Sequence, residues 1–331
     1  MQKTEKFCIY AKFVVFLCTF YVHMKKVSVI VPNYNHAPFL KERVDSILAQ
    51  DYPEMEIILL DDASSDESAA ILGAYAKHPR VTAFLRSKTN SGNPFIQWQR
   101  GIRQATGDYI WIAESDDVAA PTMLSRLVAA METQDAVLAF AQSRCINEQG
   151  RALPRRITAP FLHDFAIDGK TYVLRHLLGE NTICNASAVL FRREAAQTVD
   201  MAEVAQYRVS GDRLFWIRIA WQGRVAFVAE PLNKFRQHTQ KVSIAAAGQG
   251  LNCIQDHTIY QQVRSLLPLT TYQQRLVCGY HWQAMHQPWV TPQGRECAMR
   301  EWQTEPLFGW WSWLVYKLHR IVIRTQGTCS I

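Results

Sequence analysis

Through the first 141 residues, short aliphatic runs alternate with segments whose apolar residues recur at helical spacing. Val27-Ser28-Val29-Ile30-Val31-Pro32 is rich in β-branched residues and predicts a buried parallel strand, closed by the turn Pro32-Asn33-Tyr34-Asn35. Leu40, Val44, Ile47 and Leu48 then share a helical face until Tyr52-Pro53 breaks the pattern. Residues 56–60 predict a second buried strand, ending at Asp61-Asp62. Ser64-Ser65-Asp66-Glu67 has capping-box spacing, and Ala70, Ile71, Ala74 and Tyr75 supply the next apolar helix face. The alternation continues with a strand at 81–85, a helix at 95–105, a strand at 109–113, a helix at 121–131 and a strand at 137–141.

After Gly150 the regularity fades. Residues 151–160 predict a loop, 170–178 a helix, 187–191 a strand, and 211–220 a helix on which Leu214, Ile217 and Trp221 share a face. Beyond Val242 the composition turns to Ala, Gln and Gly, then to helix-compatible sequence that holds most of the tryptophans. The chain thus divides into an N-terminal extension (1–23), an α/β domain (24–240) and a helical C-terminal region (241–331). Strands alternating with helices imply right-handed crossovers and a doubly wound, mainly parallel sheet with helices on both faces. Such sheets bind ligands beyond the carboxyl ends of their strands, where 32–35, 61–62 and 114–117 all fall.

The eight cysteines form no C-x-x-C pair or zinc-spaced cluster, which points to a reduced, cytoplasmic protein. Asn185-Ala186-Ser187 matches a glycosylation pattern, but nothing else argues for secretion. A net charge of +7 is compatible with nucleic acid, a membrane surface or simple solubility. Residues 306–324 lack acids and join an aromatic cluster to Lys and Arg, so the expected partner is anionic lipid rather than nucleic acid. The competing reading is a last helix docked on the core. Residues 7–22 are mostly apolar but interrupted by Lys12 and shorter than the roughly 20 residues of a span. The extension 1–23 therefore reads as a weak membrane segment or an upstream mis-start before Met24.

The apolar run 109–113 ends in Glu114, Asp116 and Asp117, three carboxylates within four residues. Their repulsion at a buried strand end calls for a positive partner, and Mg²⁺ or Mn²⁺ suits such oxygen ligands. The alternative is an acidic helix start, with Asp117 capping a helix begun by Pro121. Three polar clusters converging on one sheet edge favour the site. There Tyr34 can supply a ring platform for a nucleotide base, Asp61 or Asp62 an acceptor for a base N–H, and a cation on Asp117 a partner for the diphosphate. The glycine-rich phosphate loops of dinucleotide oxidoreductases and P-loop NTPases are absent after the first strand.

These stretches, with Ala105-Thr106-Gly107-Asp108-Tyr109-Ile110 leading into Glu114-Ser115-Asp116-Asp117, resemble the family 2 type of inverting glycosyltransferases with the GT-A fold. The resemblance covers about 25–243. It implies that Pro32, Asn33, Tyr34 and Asp62 bind the nucleotide-sugar, with Asp61 in support, Asp116 by the ribose or diphosphate, and Asp117 on Mn²⁺ or Mg²⁺. The family's aspartate-x-aspartate motif begins here with Glu114. Gly211-Asp212 before an apolar helix resembles the family's base site, making Asp212 the expected base for the acceptor hydroxyl; its plain reading is a helix cap. Lys234-Phe235-Arg236-Gln237-His238 resembles a segment that closes over the diphosphate or completes the metal site, and Asn90-Ser91-Gly92-Asn93 with Gln97-Trp98 resembles the donor-side loop, Trp98 being open to a packing role alone. No Gln-x-x-Arg-Trp motif occurs, so single-sugar transfer is expected, from a UDP-sugar foremost, to a glycan or lipid-linked acceptor on the inner face of the plasma membrane. The rival classes are a catalytically silent GT-A-like scaffold and a nucleotidyltransferase that makes sugar nucleotides.

Overall fold

The computed structural model describes residues 24–156, 161–238 and 246–325, so the extension 1–23 and the expected boundary near 240 lie outside the described residues. Every residue of β1 (Val27–Asn33) is buried. It leads into α1 (Ala37–Leu48), whose apolar stripe carries one charged member, Arg43, among Leu40, Val44 and Ile47. Next come β2 (Met55–Asp61), also wholly buried, α2 (Ser68–Tyr75), β3 (Val81–Arg86) and α3 (Pro94–Gln104). β4 (Tyr109–Ile112), β5 (Val118–Ala119), α4 (Met123–Gln134), β6 (Ala136–Ile146), β7 (Ala152–Arg156), β8 (Phe165–Asp168), β9 (Val189–Arg192), α5 (Gly211–Ala220) and β10 (Arg224–Arg236) complete the sheet region.

These strands form one sheet in the order β3-β2-β1-β4-β9-β6-β10-β5, with β7 on β6 and β8 on β10. β1 runs parallel to β2 and β4, and β2 to β3, as the helix-strand alternation requires. The strand order therefore reverses at β1, the kind of switch point where open α/β sheets leave a crevice. Beyond β4 the sheet is mixed. β9 is antiparallel to both β4 and β6, while β10 follows β6 in parallel and pairs antiparallel with β8 and β5.

Several local expectations change. The segment expected as a loop at 151–160 contains β7. The 13-residue β10 shows no clean alternation because its register slips on either side of Pro231, which moves successive side chains off the pleat. The expected helix at 170–178 is a turn of α-helix (Gly169–Tyr172) passing into a π-helical turn (Val173–Leu177). No capping box forms at Ser64 to Glu67; the Asp66 carboxylate instead accepts the backbone N–H groups of Ser68 and Ala37. α4 begins at Met123 after Thr122, so Asp117 is not its cap.

The C-terminal helices α6 (Leu251–Leu266), α7 (Thr271–Met285) and α8 (Pro292–Trp302) share the apolar core of one sheet face, and α9 (Trp310–Thr325) packs against α7. Phe215 and Trp216 of α5 belong to the same continuous cluster as Cys253, Ile259, Tyr260 and Trp302. Trp302 is locked by its indole N–H to the Cys253 carbonyl (2.8 Å) and by stacking on Tyr260 and His281. Among the described residues, no helix is long and apolar enough to cross a membrane.

Candidate active site

At the carboxyl ends of β1 and β2, Asn33 stands opposite Asp61 in register, and its amide donates to Asp61 Oδ1 (3.2 Å) and Ser64 Oγ (3.1 Å). Arg86 Nε donates to the other Asp61 oxygen at 3.1 Å. Asn35 and Ala63 adopt left-handed backbone conformations (φ 54° and 60°), and Asn35 Oδ1 accepts the Ser65 N–H at 2.8 Å, so the two turns brace each other. The Asp62 carboxylate gathers donors from Ser87, Gln97, Asn90 and both the backbone and hydroxyl of Ser91. It thereby moulds the 87–91 loop, and its lone pairs are already committed to protein donors. Pro32, Asn33, Asp61 and Asp62 are buried, whereas Tyr34 is 47% exposed and offers a free ring at this edge.

The acidic cluster follows β4, whose end is tied to β1 by the Ala113 N–H donating to the Ile30 carbonyl (2.7 Å). Asp117 is buried, and its two oxygens accept the Arg236 backbone N–H (2.9 Å) and the Asn185 amide (2.8 Å). Asp117 thus pins the end of β10 and the 185 turn beneath the site. Asp116 Oδ2 lies 3.1 Å from His238 Nε2, with each side chain 8% exposed. His36 joins them: its Nδ1 is 2.7 Å from Ser115 Oγ, and its ring meets the His238 ring edge-on at 5.5 Å. The ends of β1, β4 and β10 therefore converge on Asp116 and His238. A carboxylate oxygen beside an imidazole nitrogen suits Mn²⁺, and Mg²⁺ also takes one or two protein ligands and completes its shell with phosphate oxygens. Among the described residues no group of three or more His, Cys, Asp or Glu side chains could hold a metal ion, so Asp116 and His238 are a two-donor set, with the expected ligand Asp117 beside them and each of its oxygens accepting one hydrogen bond.

Glu114 accepts the Trp98 indole N–H at 2.9 Å. Burial, reinforced by the Asp116 and Asp117 charges, pushes its carboxyl up to about 8. The positive partner for the cluster is one the sequence reading missed. Arg43 is fully buried, its guanidinium stacked 4.8 Å over Trp111. The guanidinium nitrogens have no hydrogen-bond partner among the described residues. Burial lowers it to about 10, while Asp117, Asp116 and Glu114 pull it back up, so it remains charged. An Arg on the apolar stripe of α1 was the available signal.

Two expected donor contacts take different roles. Arg236 is 1% exposed, and its guanidinium is engaged by the carbonyls of Asp116, Asn147 and Glu148 and the Glu42 carboxylate, with Phe39 stacked beneath. It knits the loops under the site and faces no crevice. Asn93 caps α3 by accepting the Phe95 N–H (2.9 Å) and donates to the Ala205 carbonyl (2.7 Å), so both ends of its amide are occupied. Asn185, set aside in the sequence as a chance glycosylation match, is buried and bonded to Asp117. Its neighbour Ser187 accepts the Glu114 N–H at 3.0 Å.

Asp212 opens α5, and its carboxylate accepts the backbone N–H of the next residue, Arg213, at 2.7 Å. Burial pushes its carboxyl up to about 6; the Arg213 N–H and guanidinium oppose this and Asp256 adds to it. Trp98 connects this helix to the acidic cluster, touching Glu114 through its indole N–H while its ring packs on Phe215 (5.6 Å) and Trp216 (5.7 Å). Gly211 lies against the Phe95 ring so closely that a Cβ would fall 2.4 Å from it. The α3 aromatics are thus the wall shared by the acids and the candidate base.

The chain is 26% identical over 227 residues to an uncharacterized glycosyltransferase of Nostoc sp., covering 67% of this chain and 68% of that protein. It is also 26% identical over 220 residues to the putative teichuronic acid biosynthesis glycosyltransferase TuaG of Bacillus subtilis, covering 66% and 81%. Among solved structures it resembles Staphylococcus aureus TarS 1–349 in complex with UDP-GlcNAc (TM-score 0.55, 16% identity, 92% and 93% coverage). It likewise resembles the mannosyltransferase PcManGT of Pyrobaculum calidifontis in complex with GDP-Man and Mn²⁺ (0.54, 18%, 91% and 81%). The fold is GT-A. Residues 28–200 match Glycosyl transferase family 2, and with strand-end acids and turns where that family's motifs fall, the chain belongs to it.

Proposed function

We propose that this glycosyltransferase moves a single sugar, with inversion, from a nucleoside diphosphate sugar to an acceptor hydroxyl in surface polysaccharide or lipopolysaccharide assembly. The observation that carries the reading is the Asp116–His238 pair, 3.1 Å apart at the converging ends of β4 and β10. TarS with UDP-GlcNAc and PcManGT with GDP-Man support a nucleotide-sugar donor, and a UDP-sugar is the first to test. TuaG supports a cell-surface glycan product. Asp116 and His238 would hold Mn²⁺ or Mg²⁺, which would offset the charge that builds on the departing diphosphate. The exposed Tyr34 ring would receive the base. Pro32, Asn33 and Asp61 would fix that platform, and Asp62 would shape the facing 87–91 loop. Asp117 would act from behind, holding the backbone two residues before His238.

Asp212 would take the proton of the acceptor hydroxyl as its oxygen attacks the anomeric carbon. The bond from that carbon to the diphosphate oxygen breaks, and its electron pair leaves with the nucleotide. A carboxylate held near 6 is ionised at neutral pH yet more basic than an ordinary aspartate. The test is thermal stabilisation by UDP-GlcNAc, UDP-Glc and GDP-Man with and without Mn²⁺, followed by transfer assays. Asp116→Ala is expected to lose metal-dependent stabilisation by the donor, whereas Asp212→Asn keeps it and loses transfer. Normal transfer by Asp212→Asn would overturn the base assignment.

A peripheral membrane contact through α9 is a separate part of the proposal. α9 buries Ser312 and Tyr316 and turns Trp310, Trp311 and Leu318 outward, at 62%, 53% and 54% exposure. Lys317 lies exposed among them, and the helix contains no acid. Rings at headgroup depth with cations towards anionic lipid match this face. Co-sedimentation with phosphatidylglycerol vesicles is expected for the wild type and is expected to drop at least tenfold in Trp310→Ser with Trp311→Ser. Equal sedimentation of the two would reject it.

A further inference from the structure

Two consecutive residues of α6 grip the loop that presents Asp212. Gln255 Oε1 accepts the backbone N–H groups of Val209 and Ser210, each at 3.1 Å. Asp256 lies 3.1 Å from the Arg213 guanidinium, and both side chains are 6% exposed. Ser210 occupies the cap position of α5, and its side chain makes no capping hydrogen bond. From the opposite side Phe95 closes on Gly211. The residues before and after Asp212 are therefore held from both directions, by α6 and by α3.

An ion pair this deeply buried is a costly way to join two helices, because an apolar pair of similar volume stabilises about as well. Its charges have a second effect at Asp212. Tyr280 on α7 and Cys253 on α6 also face Arg213, and burial pushes both up so that they are neutral. His281 is likewise held neutral by burial and the nearby Arg213 charge. Arg213 and Asp256 are thus the charged groups acting on Asp212. An Arg213 without its partner would lend its full positive charge to the Asp212 carboxylate and make it a weaker proton acceptor.

We propose that Asp256, acting through Arg213, is a positioning residue of the C-terminal helices that sets both the placement of Asp212 and the charge it faces. This rests on the reading of Asp212 as the base. α6 then supports the catalytic apparatus from behind α5.

The experiment compares the pH dependence of kcat in two full-length variants. Asp256→Asn leaves Arg213 unopposed, so the acid limb is expected to move to lower pH by about one pH unit. Turnover at pH 8 is expected to fall about threefold to tenfold, with donor KM unchanged. The double variant Arg213→Met, Asp256→Leu removes both charges and keeps an apolar contact. Because Arg213 acts on Asp212 more strongly than Asp256 does, the acid limb is expected to move the opposite way, to higher pH. Limbs that stay put, or shift in the same direction in both variants, overturn the inference. If Asp256→Asn does not fold, the double variant decides alone by the direction of its limb. Failure of the base reading is recognised separately, by Asp212→Asn retaining transfer.

Discussion

Glu114 shows how a single position can keep a motif's place while changing its work. Its carboxyl oxygen receives the Trp98 indole N–H, in the wall between the acids and α5. Glu114→Gln retains that acceptor, whereas Glu114→Ala strands a buried donor at a cost of about 1–3 kcal/mol. Urea unfolding is expected to show the alanine variant destabilised by that amount and the glutamine variant close to wild type. Arg43 answers the same cluster from below, with its charge stacked on Trp111. Arg43→Met is expected to lose about 3 kcal/mol or more, because the buried acids are left uncompensated. Mn²⁺ should restore more of the melting temperature in that variant than it adds to wild type. Equal Mn²⁺ shifts in both would show that Arg43 does not share the work of the cation.

Between elements, the decisive contacts are close approaches and strand ends. Gly279 on α7 faces the backbone of α9, where a Cβ would lie 2.1 Å from the Ser312 carbonyl oxygen. The two helices can pack at this distance because nothing projects between them. Gly279→Ala is expected to force them apart, costing about 1–3 kcal/mol and opening α9 to limited proteolysis. A variant as protease-resistant as wild type would show that the helices can shift without penalty. At the other end of the fold, Asp117 joins β10 to the loop after β4 through the Arg236 N–H and Asn185. This bond places His238 beside Asp116, two residues that lie 122 apart in the chain.

For the whole molecule, two histidines buried without charge make stability fall on acidification. His176, packed among Phe161 and Tyr172, is lowered by burial, helped by Arg175 and His319, to about 4. His281 lies well below its ordinary value for the same first reason. In the unfolded chain both take up protons near pH 6.5, so the unfolded state binds more protons below that pH and stability falls as the solution is acidified. For His176 the loss runs from about pH 6.5 to about 4 and reaches roughly 3 kcal/mol. Denaturant unfolding at pH 7, 5.5 and 4.5 is expected to record the decline, and His176→Phe is expected to flatten it. An unchanged slope would mean that His176 protonates within the fold.

The sequence by itself determined the first half of the sheet. β1, β2 and β4 are buried along their whole length, so each appears as a largely apolar run, whereas β3 at the sheet edge is half-exposed, and the crossover helices repeat their own period. The same pattern places three polar turns on one sheet edge, and their residues resemble the family's motifs. It could not reveal β10, whose alternation is broken by slipped register around Pro231, nor β7 in a segment rich in Pro and Arg. Tertiary structure alone decided how the polar residues divide their labour. A carboxylate in a sequence carries the same charge whether it faces a crevice or a buried N–H. Only folding showed that Asp62, Asp117 and Arg236 are satisfied within the protein, whereas Asp116 meets His238 and Tyr34 remains open. Partners separated by tens to hundreds of residues set desolvation and pairing, and these decide which acids organise the site and which are left to act.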